Sequence, residues 1–222
     1  MKMLTLKTKE VKELIAAGLM GKFIQEGFVY KKTINQFEKM QGDNTSIFNI
    51  LITAWSKHFS IDVRLYISQK KIEEIYESIV GKSHKITIGN TIERINASPD
   101  GREVVNGDLV INLYFDDDVE AAVESLENYY NTIAKPYFEK YQDLKSMDDI
   151  INNPPFEHSP AHVGLGLDER CMKGLIAARL VDNPNYEQLV ATYDEAIKET
   201  MNEESIENYH KVREHLMYTR VK

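Results

Sequence analysis

The sequence predicts an α+β fold: a mostly antiparallel sheet with helices packed on one of its faces, continued by an all-helical C-terminal extension. Two segments carry the sheet. Residues 59–67 alternate Phe59, Ile61, Val63, Leu65 and Ile67 with Ser60, Asp62, Arg64 and Tyr66, and residues 109–115 repeat the pattern with Leu109, Ile111, Leu113 and Phe115. A side-chain period of two with one apolar face marks strands covered on one side, the habit of antiparallel sheets. The third observation is where such patterns stop: beyond residues 152–160, which hold three of the six prolines, only helical periodicity remains.

The elements follow in order. Val11, Leu14, Ile15, Leu19 and Phe23 recur at helical spacing over residues 8–26, and Gly27 closes that helix. Residues 28–32 and 34–40 are short β-prone runs, and the turn chemistry of Gln41-Gly42-Asp43-Asn44 leads into a strand over 46–55. After the 59–67 strand, Ser68 is placed to cap a helix with an apolar stripe of Ile72, Ile75, Tyr76 and Ile79, stopped by Gly81. Strands are expected at 85–88 and 91–95 around a Gly89-Asn90 turn, and Asn106-Gly107 is a hairpin signal. Asp116-Asp117-Asp118 opens a long helix to about Tyr141, kinked or divided at Pro136, and a short helix covers 147–151. Three helices are expected at 168–181, 186–201 and 205–217. The domain boundary is accordingly set between an α+β unit, 1–152, and a helical extension, 153–222.

Composition narrows the function classes. The chain has 222 residues and a formal net charge of -8, with 19 basic and 23 acidic residues up to Ile150 and 8 and 12 beyond it. Both parts are therefore acidic, and affinity for phosphate backbones or anionic lipid needs clustered Lys and Arg, so neither nucleic acid nor membrane is an expected partner. The lone cysteine, Cys171, cannot form an intrachain disulfide, and the charged N-terminal stretch lacks the apolar core of a signal peptide, so a cytoplasmic protein is expected.

The stretch Gly27-Phe28-Val29-Tyr30-Lys31-Lys32 after an amphipathic helix, the alternating strand before Ser68, and the late run Lys135-Pro136-Tyr137-Phe138-Glu139-Lys140-Tyr141 together resemble a bacterial family of domains of unknown function. The resemblance covers roughly residues 5–152, and the tail from Asn153 departs from it. It implies a sheet packed by helices on one face and a role like that of toxin-neutralising immunity proteins. It implies no catalytic residues.

Candidate sites are few. Asp116 to Asp118 have the carboxylates a divalent cation needs, but aspartates at a helix start cap it, and the other ligands of a calcium loop are missing. His158 and His162 stand four apart as in zinc helices, yet Pro160 lies between them and no Glu follows the first His. Cys171, between Arg170 and Met172 on a helical stretch, reads as a packed thiol rather than a nucleophile. Gly164-Leu165-Gly166 has no strand before it and no third glycine, so it is no dinucleotide fingerprint. No catalytic residue, cofactor or metal is expected from these patterns.

What remains is the wet side of the sheet. With the two alternating strands adjacent, Asp62, Arg64 and Tyr66 share a face with Asn112 and Tyr114, a Tyr and Arg mixture typical of protein interfaces; Trp55, at a strand end, is a further anchor. The competing readings are solvated cross-strand pairs and a face covered by the C-terminal helices. A non-enzymatic protein-binding role follows, with a protein partner or a second copy of the chain. The alternative is an enzyme or small-ligand protein with its site between sheet and helical extension, and a third reading gives the extension an assembly role.

Overall fold

The computed structural model describes residues 5–102, 109–152, 161–200 and 202–218. Among them are a six-stranded antiparallel sheet and the expected helical C-terminal part. The expected Asn106-Gly107 hairpin, His158 and the proline-rich stretch 153–160 lie outside the described residues.

Helix α1 (Thr8–Gln25) buries Val11, Ile15, Leu19 and Phe23, while Leu14 stays half exposed at the flank of the stripe. Gly27, at φ 87°, reverses the chain as only a left-handed residue can without strain, and the Phe28 N–H returns to the Phe23 carbonyl at 2.8 Å. Strands β1 (Val29–Lys31), β2 (Gln36–Gln41), β3 (Asn44–Ala54) and β4 (Phe59–Gln69) then form a meander in which β3 and β4 pair over eleven residues. The five apolar residues of β4 expected inside are all buried. Phe23, Phe37, Phe48 and Tyr130 meet in the centre, with the Phe23 ring 4.4 Å from Phe37 and 4.7 Å from Tyr130.

Several boundaries differ from expectation, each for a physical reason. Ser68 does not cap α2 (Lys70–Val80): β4 runs on through it, and the Gln69 side chain accepts the Ile72 N–H at 3.1 Å. Gly89-Asn90 is not a turn but the middle of β5 (Ile88–Thr91), where the sheet presses so close that a Cβ on Gly89 would overlap the Leu65 carbonyl. The expected 91–95 strand is instead α3 (Ile92–Ala97), because Ile92 and Ile95, three apart, both reach the core. Strand β6 keeps only Ile111–Leu113 of the expected 109–115 run. Leu113 is fully buried, whereas Leu109, Ile111 and Phe115 are only partly so.

The long helix forms as α4 (Asp118–Tyr129) and α5 (Lys135–Lys140) joined by a π-helical turn at Tyr130–Ala134. The Lys135 N–H reaches back five residues to the Tyr130 carbonyl. This widened turn sits just before Pro136, which has no N–H to give and whose ring would crowd a regular turn. Helix α6 (Leu144–Asn152) is longer than expected and takes Asn152 out of the linker.

Two cores result. The first lies between the sheet and α1, α3, α4 and α5. The second is built by α7 (Leu167–Leu180), α8 (Tyr186–Thr200) and α9 (Glu203–Tyr218), and α2 contributes Ile72 and Tyr76 to it. Buried polar contacts stitch the extension to the first unit. The Lys173 ammonium donates to the Glu73 carboxylate at 3.0 Å and to the Ile86 carbonyl at 2.5 Å, and the Thr87 hydroxyl donates to Glu73 at 2.6 Å. On α6, Asp148 accepts from Asn152 and Asn183, both at 2.7 Å, and Asn152 in turn accepts from the Tyr193 hydroxyl. No described helix is long and apolar enough to cross a membrane.

Candidate functional site

The helices of the first core cover one face of the sheet. On the other face Met40, Leu51, Arg64 and Asn112 remain exposed, and the C-terminal helices pack on α2 and α6 instead. The register sets this face in rows. Ser60 pairs with Thr53 on β3 and Asn112 on β6, Asp62 pairs with Leu51, Arg64 with Asn49 and Thr91, and Tyr66 with Ile47 and Gly89.

One row is aromatic. The Trp55 N–H donates to the His58 carbonyl at 2.9 Å, closing β3 and β4 around Ser56-Lys57. Extending the Phe59–Leu113 pairing by one step sets His58 opposite Tyr114. Trp55, His58 and Tyr114 thus stand side by side across three strands: the first two rings are 6.1 Å apart at 15°, the second two 5.1 Å apart at 28°. The indole N–H donates to the Ser60 hydroxyl at 3.0 Å, which fixes the ring over the next row. Trp55 is nevertheless 59% exposed and Tyr114 49%, with Leu51 39% exposed on the same face. Large rigid rings held in place yet open to water make contact area at little entropic cost.

All six residues named from sequence, Trp55, Asp62, Arg64, Tyr66, Asn112 and Tyr114, fall on this one face. Among the described residues neither Asp62 nor Arg64 joins an ion pair. Sequence reasoning missed His58, the middle ring, and Leu51. The signal for His58 was its position opposite Trp55 across a two-residue turn.

The other candidates resolve into structural roles. Asp116 accepts from the Thr5 N–H at 2.8 Å and the Thr5 hydroxyl at 2.7 Å, tying down the N-terminal segment. Asp118 accepts the N–H groups of Tyr114 and Phe115 at 2.7 and 2.9 Å. Among the described residues no group of three or more His, Cys, Asp or Glu is placed to hold a metal. Cys171 is buried, and burial pushes its thiol up to about 12, which leaves almost no thiolate at neutral pH. Gly164 sits against β5, its N–H bonded to the Gly89 carbonyl at 2.5 Å.

His162 is buried against α5. Its Nδ1 accepts from the Tyr141 hydroxyl at 2.8 Å and its Nε2 donates to the Ile95 carbonyl at 3.3 Å, while the Tyr137 hydroxyl donates to the His162 carbonyl at 3.3 Å. Burial holds the imidazole below its usual pKa and the Tyr137 and Tyr141 hydroxyls well above theirs. A cavity of about 210 Å³ lies beside this cluster, lined by Asn96, Thr132, Pro136 and Lys140 among others. A second, of about 250 Å³, lies over Asp148 and Asn152 between α6 and the loop that leads into α8.

Compared with models of protein families, with curated proteins and with solved structures, the chain matches none of them.

Proposed function

We propose that this is a non-enzymatic protein-binding protein that engages its partner through the outward face of the sheet, in a role of the kind immunity proteins fill. The observation that carries the reading is the row Trp55, His58 and Tyr114, stacked at one end of the face opposite the first core, with Trp55 and Tyr114 open to water. Aromatic anchors with Arg beside them are the composition that concentrates binding energy at protein interfaces. Leu51 extends the apolar centre, and Asp62 and Arg64 beside it supply charges that a complementary surface would read.

The test is in two steps. A photoreactive side chain at position 58 captures a partner in the native host at one-to-one stoichiometry. The purified partner is then titrated against wild type, Trp55→Ala and Tyr114→Ala, and each truncation weakens binding by about tenfold or more. A partner held equally well by both variants, or no stoichiometric partner and a lone monomer in solution, defeats the reading.

A small-ligand or enzymatic reading draws on two cavities, the one over Asp148 and Asn152 and the one beside His162 and Lys140. Against it, both His162 nitrogens are already bonded within the fold and the Lys140 ammonium donates to the Pro99 carbonyl at 3.1 Å. Thermal shifts on a set of small metabolites, abolished by a bulky substitution at Thr132, would bring that reading forward.

A further inference from the structure

We infer that the free edge of β3 at residues 51–54 is a strand-acceptor site, which takes an extended segment of a partner polypeptide as an added β-strand. The inference rests on the protein-binding reading only in needing a polypeptide partner; its contacts are backbone groups at the sheet edge rather than rings on the face.

The pairing of β3 is lopsided. Toward β4 it is bonded along its whole length, but toward β2 the register stops at Asn49, followed only by Asn35, whose side-chain amide donates to the Ile50 carbonyl at 2.6 Å and whose carbonyl accepts the Ile50 N–H at 3.1 Å. The chain of the β1–β2 turn leaves the sheet at that point. That last bond also fixes direction: the Ile50 N–H points away from β4, and strand backbone groups alternate in side. Ile52 and Ala54 therefore turn their N–H and C=O the same way, and the Trp55 N–H, bonded to His58, turns toward β4 as the alternation requires. Among the described residues nothing bonds the backbone groups of Ile52 or Ala54.

Unpaired donors and acceptors at strand spacing are matched by another extended backbone and by little else. The sequence of this edge is the second observation. Ile50-Leu51-Ile52-Thr53-Ala54-Trp55 has high β-propensity, no charge and no proline, whereas unpartnered edges are ordinarily blunted by such residues. The sheet's other edges offer less: β1 and β6 are only three residues long, β1 ends in Lys31, and β5 is bridged by Val163. Leu51 flanks the edge, and Ile34, 55% exposed, stands across the gap with its carbonyl accepting from the Asn49 amide at 3.3 Å. The incoming strand should thus be apolar at alternate positions, on the side that meets Leu51 and Ile34. A second copy fits less well, since in a symmetric antiparallel pairing the 32–35 turn of each copy would have to pass the 55–58 hairpin of the other.

The experiment uses the full chain and a displayed library of random peptides of about ten residues. Peptides selected on wild type should alternate apolar and polar residues and slow amide exchange at Ile52 and Ala54 relative to the free protein. Ala54→Pro removes one edge N–H without touching a β3–β4 bond and should weaken those peptides by about tenfold or more. If that variant fails to fold, exchange protection on wild type decides. Selected peptides that bind Ala54→Pro as they bind wild type, or that leave both amides unprotected, overturn the inference. So does a wild-type dimer that the substitution turns into a monomer, because the occupant is then a second copy. Retained edge protection in Trp55→Ala and Tyr114→Ala variants that bind the native partner normally would sink the face reading and leave the edge standing.

Discussion

The Lys173 ammonium meets the Glu73 carboxylate at 3.0 Å where the lysine side chain is wholly buried, and it lies 4.9 Å from the centre of the Tyr76 ring. This is the joint between the extension and the sheet-bearing unit. Glu169 stands 3.4 Å away as a second carboxylate, and Ser83 and Thr87 donate to Glu73.

Breaking that joint from one side leaves a charge stranded in the interior. Lys173→Met should lower stability by about 3–5 kcal/mol, read from urea unfolding monitored by circular dichroism. Replacing Glu73 by Leu as well should recover part of the loss, since an apolar pair need not be solvated. A single substitution costing less than about 1 kcal/mol would show that water reaches the pair.

His162 gives stability a pH dependence. Burial lowers its pKa in the folded state from the ordinary 6.5, so the unfolded chain binds the proton more readily. Its contribution is complete above that ordinary value and is lost as pH falls from it through the lowered one. The urea midpoint of wild type should drop across that window, and His162→Gln should be flatter there. An equal slope in both proteins would refute the assignment.

The single thiol should report unfolding. Because Cys171 is buried and held mostly protonated, it should react with an alkylating reagent only as fast as the second core opens. Labelling at neutral pH should accelerate in step with urea-induced unfolding. Prompt labelling of the native protein would contradict the packing of α7.

The lone tryptophan reports the outward face. Trp55 is more than half exposed, so its fluorescence should be red-shifted and readily quenched in the free protein. Trp55→Ala should change the unfolding free energy by no more than about 1 kcal/mol, the worth of its bond to Ser60 and its edge of packing. A larger loss would mean that the ring is a structural member.

Much of the fold is written locally. β4 could be recognised because one face of it is buried at a strict period of two, and α1 because its stripe is unbroken by glycine at the centre of the buried face. The run Thr91-Ile92-Glu93-Arg94-Ile95 misleads, since its β-branched residues have the composition of a strand, whereas Ile92 and Ile95, three apart, share a buried face only on a helix. Gly89-Asn90 has the composition of a turn, but the glycine is required by the approach of β4. The candidate face was legible as composition and not as geometry. The aromatic row depends on Phe59 pairing with Leu113, a register over more than fifty residues that no local pattern records. The sharing of α2 between two cores was likewise hidden, because an apolar stripe does not say what will cover it.

That sharing has a consequence during synthesis. Helix α7 begins 87 positions after α2 ends. The oily side of α2, with Ile72 and Tyr76, is therefore exposed on the nascent chain until the last third of the protein has left the ribosome. A cell making this protein must shield that surface in the meantime, and a stalled or prematurely terminated chain would carry it uncovered, a ready handle for chaperones and proteases.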